Sequence, residues 1–140
     1  MLPKTELYSL LTTSKIGIEF FADLLKKSEY DHQRDRIFTA FEMCKHHTQA
    51  IQHHLELLEI FDNDCDIKST MLSLIEKIRN WSLDSRYEID AACIQFIQEA
   101  MARMELLQEM EDLPKTTITL FNKIHNDYIQ CHELFQECLN

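Results

Sequence analysis

Between residues 31 and 61, apolar or small side chains recur at Ile37, Phe41, Cys44, Thr48, Ile51, Leu55 and Leu58, alternately four and three apart. That spacing keeps one stripe of a helix turned toward a partner helix. No Gly or Pro interrupts it. The same pattern predicts a first helix over 5–27, with Leu7, Leu11, Ser14, Ile18, Phe21 and Leu25 inward and Leu10, Gly17 and Leu24 on the adjoining flank. Pro3 suits the helix start and Thr5 can cap it. Residues 28–30 form a short turn, which favours antiparallel neighbours, and Asp31 can cap the second helix.

Residues 62–66, Asp-Asn-Asp-Cys-Asp, break the second helix. A shorter helix is predicted over 69–80, followed by Trp81 as a plug at one end of the bundle. Ser85 and Glu88 have the spacing of a capping box. A third helix runs to about 111, with Ile89, Cys93, Phe96, Ala100, Met104 and Leu107 inward. Pro114 breaks the chain. A fourth helix runs over 116–139, with Phe121, Ile124, Tyr128, Cys131, Phe135 and Cys138 inward. The prediction is a single all-α domain over 1–140: an antiparallel up-down four-helix bundle with an extra short helix between its two hairpins.

Composition agrees. One Gly and two Pro in 140 residues lie far below average use (roughly 7% and 5%) and leave little turn chemistry for hairpin strands. Gly17, inside a helix, predicts close approach of a neighbouring helix, because Gly there costs about 1 kcal/mol relative to Ala. The formal net charge of −10 opposes binding to nucleic-acid phosphates and anionic membranes. The Lys26–Lys27 and Arg34–Arg36 pairs read as solvated helix faces. Five cysteines form no Cys-x-x-Cys pair, and there is neither a signal sequence nor an apolar run of the ~20 residues that cross a bilayer. Free thiols in a reducing cytoplasm follow, several of them core fillers. Cys65, between Asp64 and Asp66, is the exposed thiol, and its acidic neighbours oppose the reactive thiolate.

The chemistry is tested against spacing. A di-iron bundle needs Glu-x-x-His on two helices. Only Glu29–His32 matches, across a turn; Met43, Cys44, Ala50, Ile51, Asn122 and Ile129 stand where the other histidines would need a carboxylate. Glu19, Glu42, His46 and His53 point outward in the predicted register. His47 and His54 lie on a flank of the second helix, and His125 and His132 border the inward stripe of the fourth. These four are the candidate ligands of a mononuclear site, if the two helices are neighbours; boundary histidines hydrogen-bonded to side chains are the plainer reading. The Asp-x-Asp-x-Asp start of an EF-hand loop fails at Ile67 and Ser73. His132–Glu133 lacks the second His of a zinc protease, because Gln136 replaces it. No phosphorelay histidine, phosphate loop or nucleophile–base pair is found, so no catalytic residue is assigned.

Three segments carry a resemblance: residues 7–21, with Gly17-Ile18 and the Phe20–Phe21 pair; Trp81 after a short amphipathic helix; and Leu113-Pro114 before a helix bearing Tyr128 and His132. Together they resemble a bacterial ferritin-like four-helix-bundle family of unknown function found in stress-associated proteins. Ile16 replaces that family's usual Asp before Gly17. The resemblance implies a ferritin-like fold and no transferable activity. The functional expectation is a metal-free bundle with no cofactor. It acts through a protein partner or self-association as a dimer, with a stress-related role. The alternative is a metal-binding or redox protein holding iron or zinc at His47, His54, His125 and His132. A third reading is an acidic adaptor that buries a partner's helix in a groove.

Overall fold

The structure, a computed structural model, describes residues 2–60 and 86–137. Four helices and no strand are found among them: Lys4–Lys27 (α1), Asp31–Leu57 (α2), Arg86–Gln108 (α3) and Lys115–Gln136 (α4). The predicted helix over 69–80, the 62–66 loop with Cys65, the Trp81 plug, the Ser85 cap and Cys138 lie outside the described residues.

Most of the positions expected inward from spacing are buried, while Ile18, Leu25, Leu58 and Leu107 are only partly so. Ile89, Cys93, Phe96, Ala100 and Met104 are buried on α3, and Phe121, Ile124, Tyr128, Cys131 and Phe135 on α4. α1 is buried around more of its circumference than the stripe requires, adding Tyr8, Ile16 and Phe20. The reason is that α1 meets both α2 and α3. Phe20 stacks on Phe96 of α3 at 4.8 Å, and Phe21 meets the same ring edge-on at 5.3 Å. Burying each such ring contributes about 1.5–3 kcal/mol.

Polar pairs mark how the helices meet. Between α1 and α2, Ser28 Oγ donates to Gln33 Oε1 (2.6 Å) and Thr48 Oγ1 to Ser14 Oγ (2.8 Å). Arg103 of α3 donates to the hydroxyls of Ser9 and Thr13 on α1 (3.1 and 3.2 Å). Gln108 donates to Asn122 across α3 and α4 (2.9 Å). A buried cluster joins the α1–α2 turn to the start of α3. Gln33 Nε2 donates to the Arg86 carbonyl (2.7 Å) and to Asp90 (3.1 Å), and Arg36 pairs with Asp90 at 3.3 Å. Of the two arginines expected on solvated faces, Arg34 stands exposed and Arg36 does not. Arg36 is tucked between Asp90 and the Phe135 ring. Arg34 donates to the carbonyls of Leu25 and Ser28 beyond the last turn of α1, where a cation complements the helix dipole.

Three terminal expectations are corrected. The N-cap positions of α1 and α2 are Pro3 and Tyr30, with no side-chain cap bond, so Thr5 and Asp31 lie inside the first turns. Asp31 still favours that end through its charge. α2 stops at Leu57 rather than at 61. Ile60 N–H bonds the Leu55 carbonyl and Glu59 N–H that of Glu56, with Glu59 at φ 58°. This is a Schellman end built without the usual Gly, so the sequence carried no stop signal there.

Gly17 is where α1 comes closest to its neighbours. A Cβ on it would lie 2.5 Å from Cys44 Sγ and 3.1 Å from Phe96 Cζ. Both neighbours are fully buried, so neither has free space to retreat into. Gly17→Ala is expected to destabilise the protein by ~1–3 kcal/mol through overpacking, despite the ~1 kcal/mol gained in helix propensity. Replacing Cys44 by Ala should remove most of that loss. Chemical unfolding of the two single variants and the double variant checks this, and an equal loss with and without Cys44 would sink it.

Candidate functional site

α2 meets α4 over less surface than α2 meets α1 or α4 meets α3. Two histidines of α2 cross the gap. His47 Nε2 lies 2.9 Å from Asp127 Oδ2, and His54 Nε2 lies 2.8 Å from Thr117 Oγ1. Both rings are buried. They reach α4 because α2 is rotated slightly from the expected register: Gln33, Ala40, Cys44, His47, Ile51 and His54 are buried, while Phe41 and Thr48 are only half-buried.

The hydrogen bond and charge of His47, offset by partial burial, hold the Asp127 carboxyl below its ordinary range, with Lys123 helping at 3.5 Å. An ionised Asp127 only accepts, so His47 Nε2 carries the proton. In the neutral ring Nδ1 is then a bare acceptor, and it is buried without a hydrogen-bond partner. The Tyr128 ring closes against His47 edge-on at 5.1 Å. Burial, with a contribution from His53, pushes the His54 ring below its ordinary value.

Beside these bonds the two helices diverge into a half-open groove of about 700 Å³. Phe38, Met43, Ala50, Leu120, Ile124 and Leu134 give it apolar walls, and Glu42, His46, His47, Lys123, Asp127 and Gln130 add polar groups. Phe38 is half-exposed at its edge. Glu42 pairs with Lys45 at 3.7 Å.

The four candidate ligands are thus divided. His47 and His54 face α4 and bond an acid and a hydroxyl. His132 lies 3.4 Å from Gln98 of α3 and 3.3 Å from Gln136. His125 is half-buried, with Nε2 unpartnered. Among the described residues, no three His, Cys, Asp or Glu side chains are grouped to hold a metal ion. The neighbouring thiols are poorly suited to nucleophilic work. Burial pushes Cys44 and Cys93 far up, and Cys131 up to about 12. Asp127, Thr117 and Asp90 were not legible as partners. Asp90 left one trace, an acid three residues before inward Cys93 and seven before buried Ile97.

No family model matches the chain, and no curated protein or solved structure is significantly similar to it. No helix among the described residues is long and apolar enough to cross a membrane.

Stability should respond to pH through His54. Its folded pKa is lowered, so the unfolded chain takes up its proton first. The stability it contributes is complete above the unfolded value near 6.5 and is lost as pH falls from there through the folded value. Asp127 acts in the same sense at lower pH: its contribution is complete above about 4 and lost below. Melting temperature should therefore fall from about pH 7.5 to about pH 5.5, and His54→Gln should flatten part of that slope. An identical slope in the variant would contradict the assignment.

Proposed function

We propose that this chain is a non-catalytic binding protein, built as a ferritin-like bundle of antiparallel neighbours, and that it works through the groove between α2 and α4. The observation that carries the proposal is that groove: an apolar trough of about 700 Å³ between two helices. Sites of ~300–1,000 Å³ with apolar walls and a few polar groups are those that take ligands. Binding is favoured over turnover because burial pushes the thiols, Cys131 of the groove lining among them, toward their protonated form.

The polar and aromatic pairs support the topology. From Ser28–Gln33 to Ser14–Thr48, residue numbers fall on α1 as they rise on α2. The same holds from Thr13–Arg103 to Phe20–Phe96 between α1 and α3, from Gln98–His132 to Gln108–Asn122 between α3 and α4, and from His47–Asp127 to His54–Thr117 between α2 and α4. α2 and α3 then point the same way. That is an up-down-down-up order in place of simple alternation, and it suits the one long crossover of ferritin-like folds. A histidine-held iron or zinc has less support, because His132 turns to α3 while His47 and His54 turn to α4. Self-association or a protein partner would use exposed apolar side chains, of which Phe38 lies at the groove edge and Leu57, Tyr87 and Leu106 lie elsewhere.

The test is a groove-filling variant. Nile red, an uncharged dye that brightens in apolar surroundings, should bind the wild-type protein. Ala50→Trp should weaken that binding at least ~10-fold, or about 1.4 kcal/mol, with its melting temperature reported alongside. Equal dye binding by a folded Ala50→Trp protein would remove the groove as the site.

A further inference from the structure

We propose that the α2/α4 groove takes an uncharged, largely apolar small molecule with one hydroxyl or amide group, rather than an ion, a peptide or a second copy of the chain. This rests on the groove being a binding site and adds the chemistry of what fills it.

Charge decides first. The fixed charges of the lining are paired: Glu42 with Lys45 at 3.7 Å and Asp127 with Lys123 at 3.5 Å, while His47 gives Asp127 a hydrogen bond. An ionic ligand would lose part of its water shell against apolar walls whose fixed charges are already paired, which disfavours it. The strong acidity of the chain does not help a cation here. α2 carries four acidic and three basic residues and α4 two of each, so the walls are close to neutral while the whole chain stands at −10.

Size decides second. A volume of about 700 Å³ lies inside the ~300–1,000 Å³ range of small-molecule sites. The groove walls expose far less surface than the ~800 Å² per partner that a standard protein interface covers. A peptide or second copy would need further apolar surface beside the groove. Phe38 is the one large apolar side chain of the lining that stands more than half exposed. Among the lining's polar groups, the exposed Gln130 amide is an uncharged donor and acceptor, which is why one hydroxyl or amide on the ligand fits.

Three molecules with one tail and different heads separate the possibilities: decanol, decanoate and decyltrimethylammonium. Each competes with Nile red on the full chain at about 0.15 M salt, where fields are screened beyond ~8 Å. Decanol is expected to displace the dye at a concentration at least tenfold below either ion, and Ala50→Trp should weaken all three. Leu120→Lys, at the half-buried rim, should weaken decanol and spare or improve decanoate. Tighter binding of decanoate or decyltrimethylammonium to the wild type would overturn the uncharged ligand while leaving the groove as the site. Dye and decanol binding untouched by both variants, with their folds intact by melting, would overturn the groove itself. A concentration-dependent dimer by sedimentation that excludes the dye would assign the groove to a second copy and overturn the proposal. So would a crosslink from an Ala50→Cys variant to the chain's own residues 61–85.

Discussion

The bond between His47 and Asp127 ties α2 to α4 in the interior of the molecule. Between α1 and α2, and between α3 and α4, the helices meet through stripes of buried apolar side chains. Between α2 and α4 there is less to hold, and the contact includes two polar ties: a buried imidazole on a carboxylate and, two turns on, a second imidazole on a hydroxyl. A buried polar group must be satisfied or it costs ~1–3 kcal/mol, so these bonds fix where the helices touch. Beside them the helices part, and the groove is the space that results. The same imidazole that joins the halves therefore forms part of the wall of the candidate site.

Two other constraints keep that geometry rigid. The Gly17 approach locks α1 against Cys44 of α2 and Phe96 of α3. The Gln33–Asp90–Arg36 cluster ties the α1–α2 turn to the start of α3. A buried ion pair is weak evidence for net stability, although breaking one is costly. Here it specifies which end of α3 meets which end of α2. With both in place, α2 is positioned from two sides and its groove face stays open to water.

Much of this was readable from spacing alone. The four-three alternation located all four helices and most of their inward positions, and the lone glycine inside α1 signalled a close neighbour. A buried role for the His47 flank was within reach of the same argument, since it faces a neighbour once the bundle closes. The groove was not. It depends on a slight rotation of α2 that trades Phe41 and Thr48 for Ala40 and His47, and periodicity does not resolve a shift that small. Asp127 and Thr117 were hidden for a different reason: their partners lie 80 and 63 residues away in sequence, where no local pattern reaches. The end of α2 was missed because Glu59 adopts a backbone conformation usually left to glycine.

A double-mutant cycle between His47 and Asp127 tests the account most directly. His47→Ala, Asp127→Ala and the double variant are compared by chemical unfolding at about pH 7. If the two side chains join α2 to α4 as described, the losses should fail to add, with a coupling of ~1 kcal/mol or more. Losses that add to within ~0.3 kcal/mol would mean that the two residues do not meet, and the groove between their helices would go with them.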